Sequence, residues 1–187
     1  MTTPSILAYQ TVYNVGDSLA VPVGTKLIIG CFFGNPTATL GGVAMENVTY
    51  YSDQTSIKKY RNPPSGNLLL GGQGGHFFCI GTIFDTGASN AIGGASPQSF
   101  SLATTKNDLI IGIERCASST PANHKITVDS VEMAYYYNES SYLVGCRATN
   151  SSSVPIQFID SAGSISGACA VSIPFPPNVG VTAVFLS

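Results

Sequence analysis

The sequence has few charged residues. Lys, Arg, Asp and Glu make up 10% of the 187 residues, against about 25% in an ordinary soluble domain, and the formal net charge is −2. The eight basic residues are scattered along the chain, so nucleic acid is a poor partner. Charge depletion is typical of the centres of protein interfaces, whereas a free monomer normally keeps charge for solubility. We therefore expect an oligomer or a component of a protein lattice.

Long apolar runs and helical periodicity are also missing. No apolar stretch approaches the ~18 residues of a membrane-spanning helix, and no window of useful length repeats apolar residues at helical spacing. The N-terminal residues lack the basic start of a secretory signal peptide, so we expect a soluble protein made in a cytoplasm, with no membrane partner. Short β-branched runs separated by 20 glycines and 11 prolines instead predict strands and turns.

One strand-like stretch occurs twice. Lys26-Leu27-Ile28-Ile29-Gly30 returns as Asn107-Asp108-Leu109-Ile110-Ile111-Gly112, and each copy is typical of a strand buried on both faces. A Val-x-Met stretch with tyrosines and then a Cys-x-x-x-Ile stretch follow each copy. We predict an all-β protein, an antiparallel two-sheet β-sandwich of jelly-roll type, as one domain over residues 1–187. A pseudo-duplication and a plain sandwich with similar strands both account for the repeat.

Two loops supply candidate binding residues. A rigid, proline-containing loop is predicted over residues 62–67, and a glycine-rich irregular stretch over residues 85–97. A last strand is predicted over residues 181–186, beside the N-terminal strand. Polar side chains on exposed loops often bind ligands. The candidates for ligand binding are Asn62, Asn67, Asp85 and Asn90.

Groups that could carry out chemistry are few. A zinc site around His76 or His124 would need cysteine or carboxylate partners from strands that the sequence cannot place, so ordinary strand-end histidines are the simpler interpretation. No C-x-x-C pair occurs, and buried free thiols are expected. A serine-esterase-like Gly16-Asp17-Ser18-Leu19 lacks a following helix, and the glycines at 71–75 lack the Lys-Ser/Thr of a phosphate loop. We expect no enzymatic activity, no cofactor and no metal.

Tyrosines are the most distinctive side chains. They fall on neighbouring predicted strands, where rings would lie on both faces of a sheet. One face must be core, and the other would present amphipathic rings suited to a subunit interface, to cross-strand packing or to a glycan. Sugar-binding platforms usually include Trp, which this chain lacks, so the subunit interface is favoured. The candidates are Tyr50, Tyr51, Tyr60, Tyr135, Tyr136, Tyr137 and Tyr142.

The order of several short motifs resembles a jelly-roll module of tailed-bacteriophage virion proteins, of the head decoration and tail fibre types. In that module an apolar strand ending in Gly precedes a Gly-Gly-x-Ala-Leu/Met step, a Pro-Pro-x-Gly loop, a strand closing on Phe-x-Asp and an Asn-Asp-Leu-x-x-Gly strand. The matching stretches are Leu27-Ile28-Ile29-Gly30, Gly41-Gly42-Val43-Ala44-Met45, Pro63-Pro64-Ser65-Gly66, Ile83-Phe84-Asp85 and Asn107-Asp108-Leu109-Ile110-Ile111-Gly112.

This resemblance implies a role in the virion. A protein of this kind would assemble as a homo-oligomer, with a trimer expected, and would decorate or stabilise the capsid through contacts with sister copies and with other virion proteins such as the major capsid protein. The alternative is a tail fibre or tail-tip module that recognises a host surface glycan. In both cases the protein would be located in the virion after synthesis in the host cytoplasm.

Overall fold

A computed structural model describes residues 6–81, 85–105, 108–116, 124–139, 141–161 and 163–174. Within these ranges the regular structure consists of eighteen strands in four antiparallel sheets, with no helix. A helix able to cross a membrane is accordingly not found among the described residues. The prediction of an all-β antiparallel sandwich is confirmed.

The first nine strands form the first half of the molecule. Their inner sheet has the order β1-β9-β3-β7-β6, and their outer sheet has the order β2-β8-β4-β5. The strands are β1 (Ile6–Val12), β2 (Ser18–Val21), β3 (Leu27–Phe33), β4 (Ala38–Leu40), β5 (Val43–Ala44), β6 (Glu46–Tyr51), β7 (Thr55–Arg61), β8 (Gly66–Gly72) and β9 (Gly75–Ile80).

The second half repeats this topology strand for strand. Its inner sheet has the order β10-β18-β12-β16-β15 and its outer sheet β11-β17-β13-β14, so each strand corresponds to the one nine places earlier. The strands are β10 (Ser89–Ala95), β11 (Gln98–Ala103), β12 (Leu109–Cys116), β13 (His124–Val128), β14 (Val131–Glu132), β15 (Ala134–Glu139), β16 (Tyr142–Ala148), β17 (Ser153–Asp160) and β18 (Ser164–Ile173). The duplicated arrangement, with strands alternating between two sheets, is a jelly roll in each half.

Three apolar cores hold the four sheets in layers. Each half has a core between its own inner and outer sheets. A third core, which we call the shared core, lies between the two inner sheets. Its buried members are Leu27, Ile29, Cys31, Ile57, Phe78 and Ile80 from the first half and Leu109, Ile111, Ile113, Val144, Cys146, Cys169, Val171 and Ile173 from the second.

The repeated Leu-Ile-Ile-Gly strands lie at the centre of this stack. Ile28 contributes to the core of the first half, while its neighbours Leu27 and Ile29 contribute to the shared core. Successive side chains of a strand point to opposite faces, so a strand between two cores must be apolar at every position. The predicted burial of this strand on both faces is confirmed.

Glycine ends each repeated run because side chains occupy the space above it, a methionine in both halves and also the Phe32 ring in the first half. A Cβ on Gly30 would lie 2.7 Å from Phe32 Cε2. A Cβ on Gly30 would lie 3.2 Å from Met45 Cε, and a Cβ on Gly112 would lie 3.1 Å from Met133 Cε. Both methionines are held by equivalent backbone bonds, from Met45 N to the Ala38 carbonyl and from Met133 N to the Ile126 carbonyl, each 2.9 Å. The Val-x-Met stretch therefore recurs because it fills the same site twice.

The Cys-x-x-x-Ile alignment between β9 and β18 is wrong by three residues. Leu27 pairs with Ile80, and the equivalent Leu109 pairs with Ile173. The two strands are equivalent, but Cys79 corresponds to Ser172 and not to Cys169. Similar apolar composition allows such a shift, since only the pairing partner fixes the register.

The irregular stretch predicted over residues 85–97 contains a strand. Ser89–Ala95 forms β10, which pairs with β18. Its small residues, which favoured a loop in the sequence, let the strand lie against the first half: a Cβ on Gly93 would come within 2.4 Å of the Tyr51 ring. The loop predicted over 62–67 is also shorter than expected, since β8 already begins at Gly66. The strand predicted over 181–186 lies outside the described residues.

Truncation in the shared core should destabilise the whole chain. We expect Ile29→Ala to lower the free energy of unfolding by about 2–5 kcal/mol, because the lost methyl groups leave a cavity between two closely packed sheets. Urea denaturation would measure the change. Val23→Ala is the control, since Val23 is 87% exposed and its truncation should cost less than about 0.5 kcal/mol. A loss below about 1 kcal/mol for Ile29→Ala would contradict a tightly packed shared core.

Candidate functional site

A cleft of about 280 Å³ opens where the two halves meet. The first half contributes residues from β1, from the end of β3 and from the β8–β9 turn with β9, and the second half contributes residues from β15 and β16. The lining is mostly aromatic, with a few hydrogen-bonding groups between the rings. Its side chains are Thr11, Tyr13, Phe33, Gln73, His76, Tyr137 and Tyr142.

Aromatic rings from the two halves contact each other along this cleft. The rings of Phe33 and Tyr142 have centroids 4.2 Å apart, and those of His76 and Tyr137 are 4.3 Å apart. The Arg115 guanidinium lies 5.6 Å from the Tyr142 ring centroid, within the range of a cation–π contact. The cleft wall is therefore built by contacts between halves, and it depends on how the inner sheets are stacked.

His76 is the polar centre of the cleft. Its Nδ1 lies 2.8 Å from the Tyr9 hydroxyl oxygen and 3.1 Å from the Thr11 hydroxyl oxygen. Burial, with only 3% of the residue exposed, lowers the pKa of His76 to about 4 and raises that of Tyr9 to about 12. Both groups are thus neutral at pH 7, and the cleft combines ring faces with uncharged hydrogen-bonding groups.

Such a lining suits a small ligand with one apolar face and several hydroxyl groups. Ring faces can stack on the apolar side of a sugar, while hydroxyl and amide groups fix its orientation. One hydrogen-bonding group of Gln73 is already used within the protein, because its Nε2 donates a hydrogen bond to the Phe33 carbonyl at 2.8 Å. Tyr13 is 66% exposed at the rim.

The seven candidate tyrosines lie in different environments. Tyr137 and Tyr142 line the cleft, and Tyr50 is 53% exposed on β6. The remaining four pack partly against the cores of this chain: Tyr51 and Tyr136 against the shared core, Tyr60 and Tyr135 against the cores of their own halves. Cross-strand and inter-sheet packing accounts for most of these rings, and their contact with sister copies stays a prediction.

The four candidate loop residues do not line the cleft. Asn62 occupies a turn with φ of 48°, Asn67 lies in β8, and the Asn90 side-chain oxygen accepts a bond from the Ala91 amide at 2.8 Å. Asp85 pairs with Lys59 at 2.9 Å and with Arg61. Burial alone would raise the pKa of Asp85, but the bonds from Arg61 and Lys59 hold it well below its usual range. Ligand binding by these residues stays a prediction.

Sequence reasoning did not select the first-half side of the cleft. Phe33, His76 and Thr11 come from strands whose contacts are long-range: Tyr9 and His76 are 67 residues apart in the chain. Only the position of Phe33 at the end of a doubly buried strand hinted at a surface-facing ring.

A second cluster of reactive side chains lies inside the second half. Cys116, His124 and Asp160 are all buried, and their potential ligand atoms lie within 4.8 Å of one another. All five cysteines are buried and free, as the sequence predicted: Cys31, Cys79, Cys116, Cys146 and Cys169. His124 is thus a buried strand residue with a thiol and a carboxyl beside it.

Comparison with known proteins identifies no relative. No family model, no curated protein and no solved structure matches the chain. The resemblance to the phage jelly-roll module therefore rests on the sequence motifs alone.

The buried His76 should make the stability of the protein sensitive to acid. Because its pKa in the folded state, about 4, lies below the ordinary value of 6.5, the folded state resists protonation. The stabilisation is complete above about pH 6.5 and is lost as the pH falls towards 4, by up to about 3 kcal/mol. We expect His76→Gln to show a smaller fall in unfolding free energy than the wild type between pH 7 and pH 4, as measured by urea denaturation. Parallel curves for the two proteins would refute this assignment.

Proposed function

We propose that the chain is a structural protein of a bacteriophage virion. It assembles as a homo-oligomer, a trimer, and decorates or stabilises the capsid without enzymatic activity. One observation carries the assembly part of this proposal: the outward-pointing strand residues of the first half's outer sheet, all within the described part of the chain, are uncharged. The virion part is supported by the sequence resemblance described above.

The strand residues on that outward face alternate with buried ones. Leu19, Leu68 and Leu70 point into the core of the first half, whereas Leu69 points outward and is 60% exposed. We call the outward set the uncharged face. Its members are Ser18, Ala20, Thr39, Ala44, Asn67, Leu69 and Gly71.

The equivalent face of the second half is different. Its outward strand residues include Lys125 and Glu132, together with Ser101 and Pro155. Removing an uncharged surface from water costs less free energy than removing a charged one, since no ionised group loses its hydration. The first half therefore presents the better surface for a sister copy or a capsid protein.

The jelly-roll topology of each half agrees with what the resemblance implies. Fold alone does not determine function, because this architecture serves many roles. The sequence motifs, the low charge and the uncharged face point in one direction, towards a protein that works in an assembly. Sister copies and the major capsid protein are the proposed partners.

A charge on the uncharged face should disrupt the oligomer. We expect light scattering to give the wild type three times the 19.4 kDa mass of one chain, and Leu69→Lys to give predominantly the single-chain mass, because each interface would bury an unpaired ammonium group. Ser101→Lys, on the outward face of the other outer sheet, is the matched control and should leave the oligomer intact. A wild type at the single-chain mass, or equal dissociation by both variants, would contradict the assembly proposal.

The second candidate function is that of a receptor-binding tail fibre or tail-tip module. The aromatic cleft favours it, since Phe33, Tyr137 and Tyr142 offer ring faces beside the neutral His76. A host surface glycan is the proposed ligand of that cleft. In this function the cleft, and not the predicted loop residues, carries recognition.

The location of the protein on the particle distinguishes the two functions. Gold-labelled antibody raised against this chain would be applied to particles of the phage that encodes it. Label over the head is expected for decoration, whereas label confined to the tail tip would favour glycan binding through the cleft. Intact particles without label, although the antibody detects the protein in a parallel blot, would overturn both.

A further inference from the structure

The core within the first half and the core within the second half differ at one end. Because the two halves have the same topology, equivalent positions can be compared residue by residue. Counting from the equivalent Leu27 and Leu109, Phe32 corresponds to Glu114 and Gly34 to Cys116. Ala38 and Ile126 are equivalent because their carbonyls accept the backbone hydrogen bonds of Met45 and Met133. Two residues earlier in the chain, Pro36 therefore corresponds to His124.

The partners of these strands add a fourth position. Ala38 pairs with Gly72, and Ile126 pairs with Phe158, so Gly74 corresponds to Asp160. The first half thus has Phe32, Gly34, Pro36 and Gly74 at four positions where the second half has Glu114, Cys116, His124 and Asp160. None of the first set can bind a metal through its side chain, and every member of the second set can.

Three of these side chains of the second half converge in space, and the fourth, Glu114, contacts Cys116. The ligand atoms of Cys116, His124 and Asp160 lie within 4.8 Å of one another. The distance from His124 Nε2 to Asp160 Oδ1 is 3.8 Å. That is too long for a hydrogen bond but close to the ~3.3 Å between two tetrahedral ligands whose bonds to zinc are about 2.0 Å.

Glu114 adds an independent indication of a ligand. The residue is 0% exposed, and its Oε1 accepts a bond from Cys116 Sγ at 3.2 Å. Its other oxygen, Oε2, is buried and has no hydrogen-bond partner among the described residues. A buried carboxyl oxygen without a partner is costly, and the other oxygen of the same carboxyl contacts the thiol of the cluster. In the first half Phe32 fills this position and packs on Phe77 at 5.6 Å.

We propose that Glu114, Cys116, His124 and Asp160 form a structural zinc site. A thiolate, an imidazole and carboxylate oxygens are the donors that Zn²⁺ takes in proteins, and four protein ligands leave no open position for substrate. The thiolate and one carboxylate would balance the charge of the ion if the second carboxyl stays protonated; with both carboxyls ionised the occupied site would carry one net negative charge. Hard cations such as Mg²⁺ and Ca²⁺ prefer an all-oxygen set and fit this site poorly.

The site would join elements that are far apart in the sequence. Glu114 and Cys116 belong to β12 in the inner sheet, whereas His124 and Asp160 belong to β13 and β17 in the outer sheet. Zinc would therefore tie the two sheets of the second half together at one end of its core. In the first half the aromatic contact between Phe32 and Phe77 closes the corresponding space.

Cobalt binding tests the site directly. The full-length chain, stripped with a chelator, would be titrated with Co²⁺, which takes the place of zinc and reports thiolate ligation through a sulfur-to-metal charge-transfer band. We expect one equivalent with that band in the wild type, and loss of the band in Cys116→Ser. Cys146→Ser, which removes another buried free cysteine, is the matched control and should retain the band.

A second measurement needs no variant that could fail to fold. Wild-type protein with one equivalent of Zn²⁺ should melt on the order of 5–10 °C higher than the chelator-treated protein, because the ion binds only the folded site. The absence of both a stoichiometric Co²⁺ band and a zinc-dependent melting shift would overturn the proposal. Persistence of the band in Cys116→Ser would also overturn it.

Discussion

The contact between the two inner sheets is the constraint on which the rest of the structure depends. Because β3 and β12 each lie between two cores, most of their positions face packed side chains, and the Leu-Ile-Ile run meets that requirement on both faces. One group of charged side chains lies at the margin of this contact, where Asp85 pairs with Lys59 and Arg61. The aromatic cleft is a consequence of the same contact, since its walls come from both halves.

The two halves share one topology but differ in the residues at one end of their cores. The topology needs the apolar strands and the methionine above the central glycine, and both halves keep them. It does not need the residues at one end of the core, where the first half has Phe32 and the second has Glu114. A buried carboxyl beside a thiol is less stable than packed aromatic rings unless a ligand compensates for the lost hydration. The replacement of Phe32 by Glu114 therefore supports the proposal that the second half binds a ligand at this position.

The sequence was sufficient to predict those strands that are marked by a local residue pattern. Leu-Ile-Ile-Gly marks β3 and β12 because a doubly buried strand needs a continuous apolar run. The glycine-rich β10 was not predictable, since its order comes from pairing with β18 and from the space it leaves for Tyr51. The cleft around His76 and the cluster around Cys116 also depend on partners distant in the chain. Local patterns do not specify which distant strands become neighbours.

The low charge of the chain has two separate sources. The shared core accounts for the inner strands, which would have to be apolar in any protein with this stacking. It does not account for the uncharged face, whose residue Leu69 points away from every core. A sheet face of this kind normally carries charge, as the second half shows with Lys125 and Glu132. Since the fold does not require an uncharged surface there, the composition of that face is the observation on which the proposal of a covering partner depends.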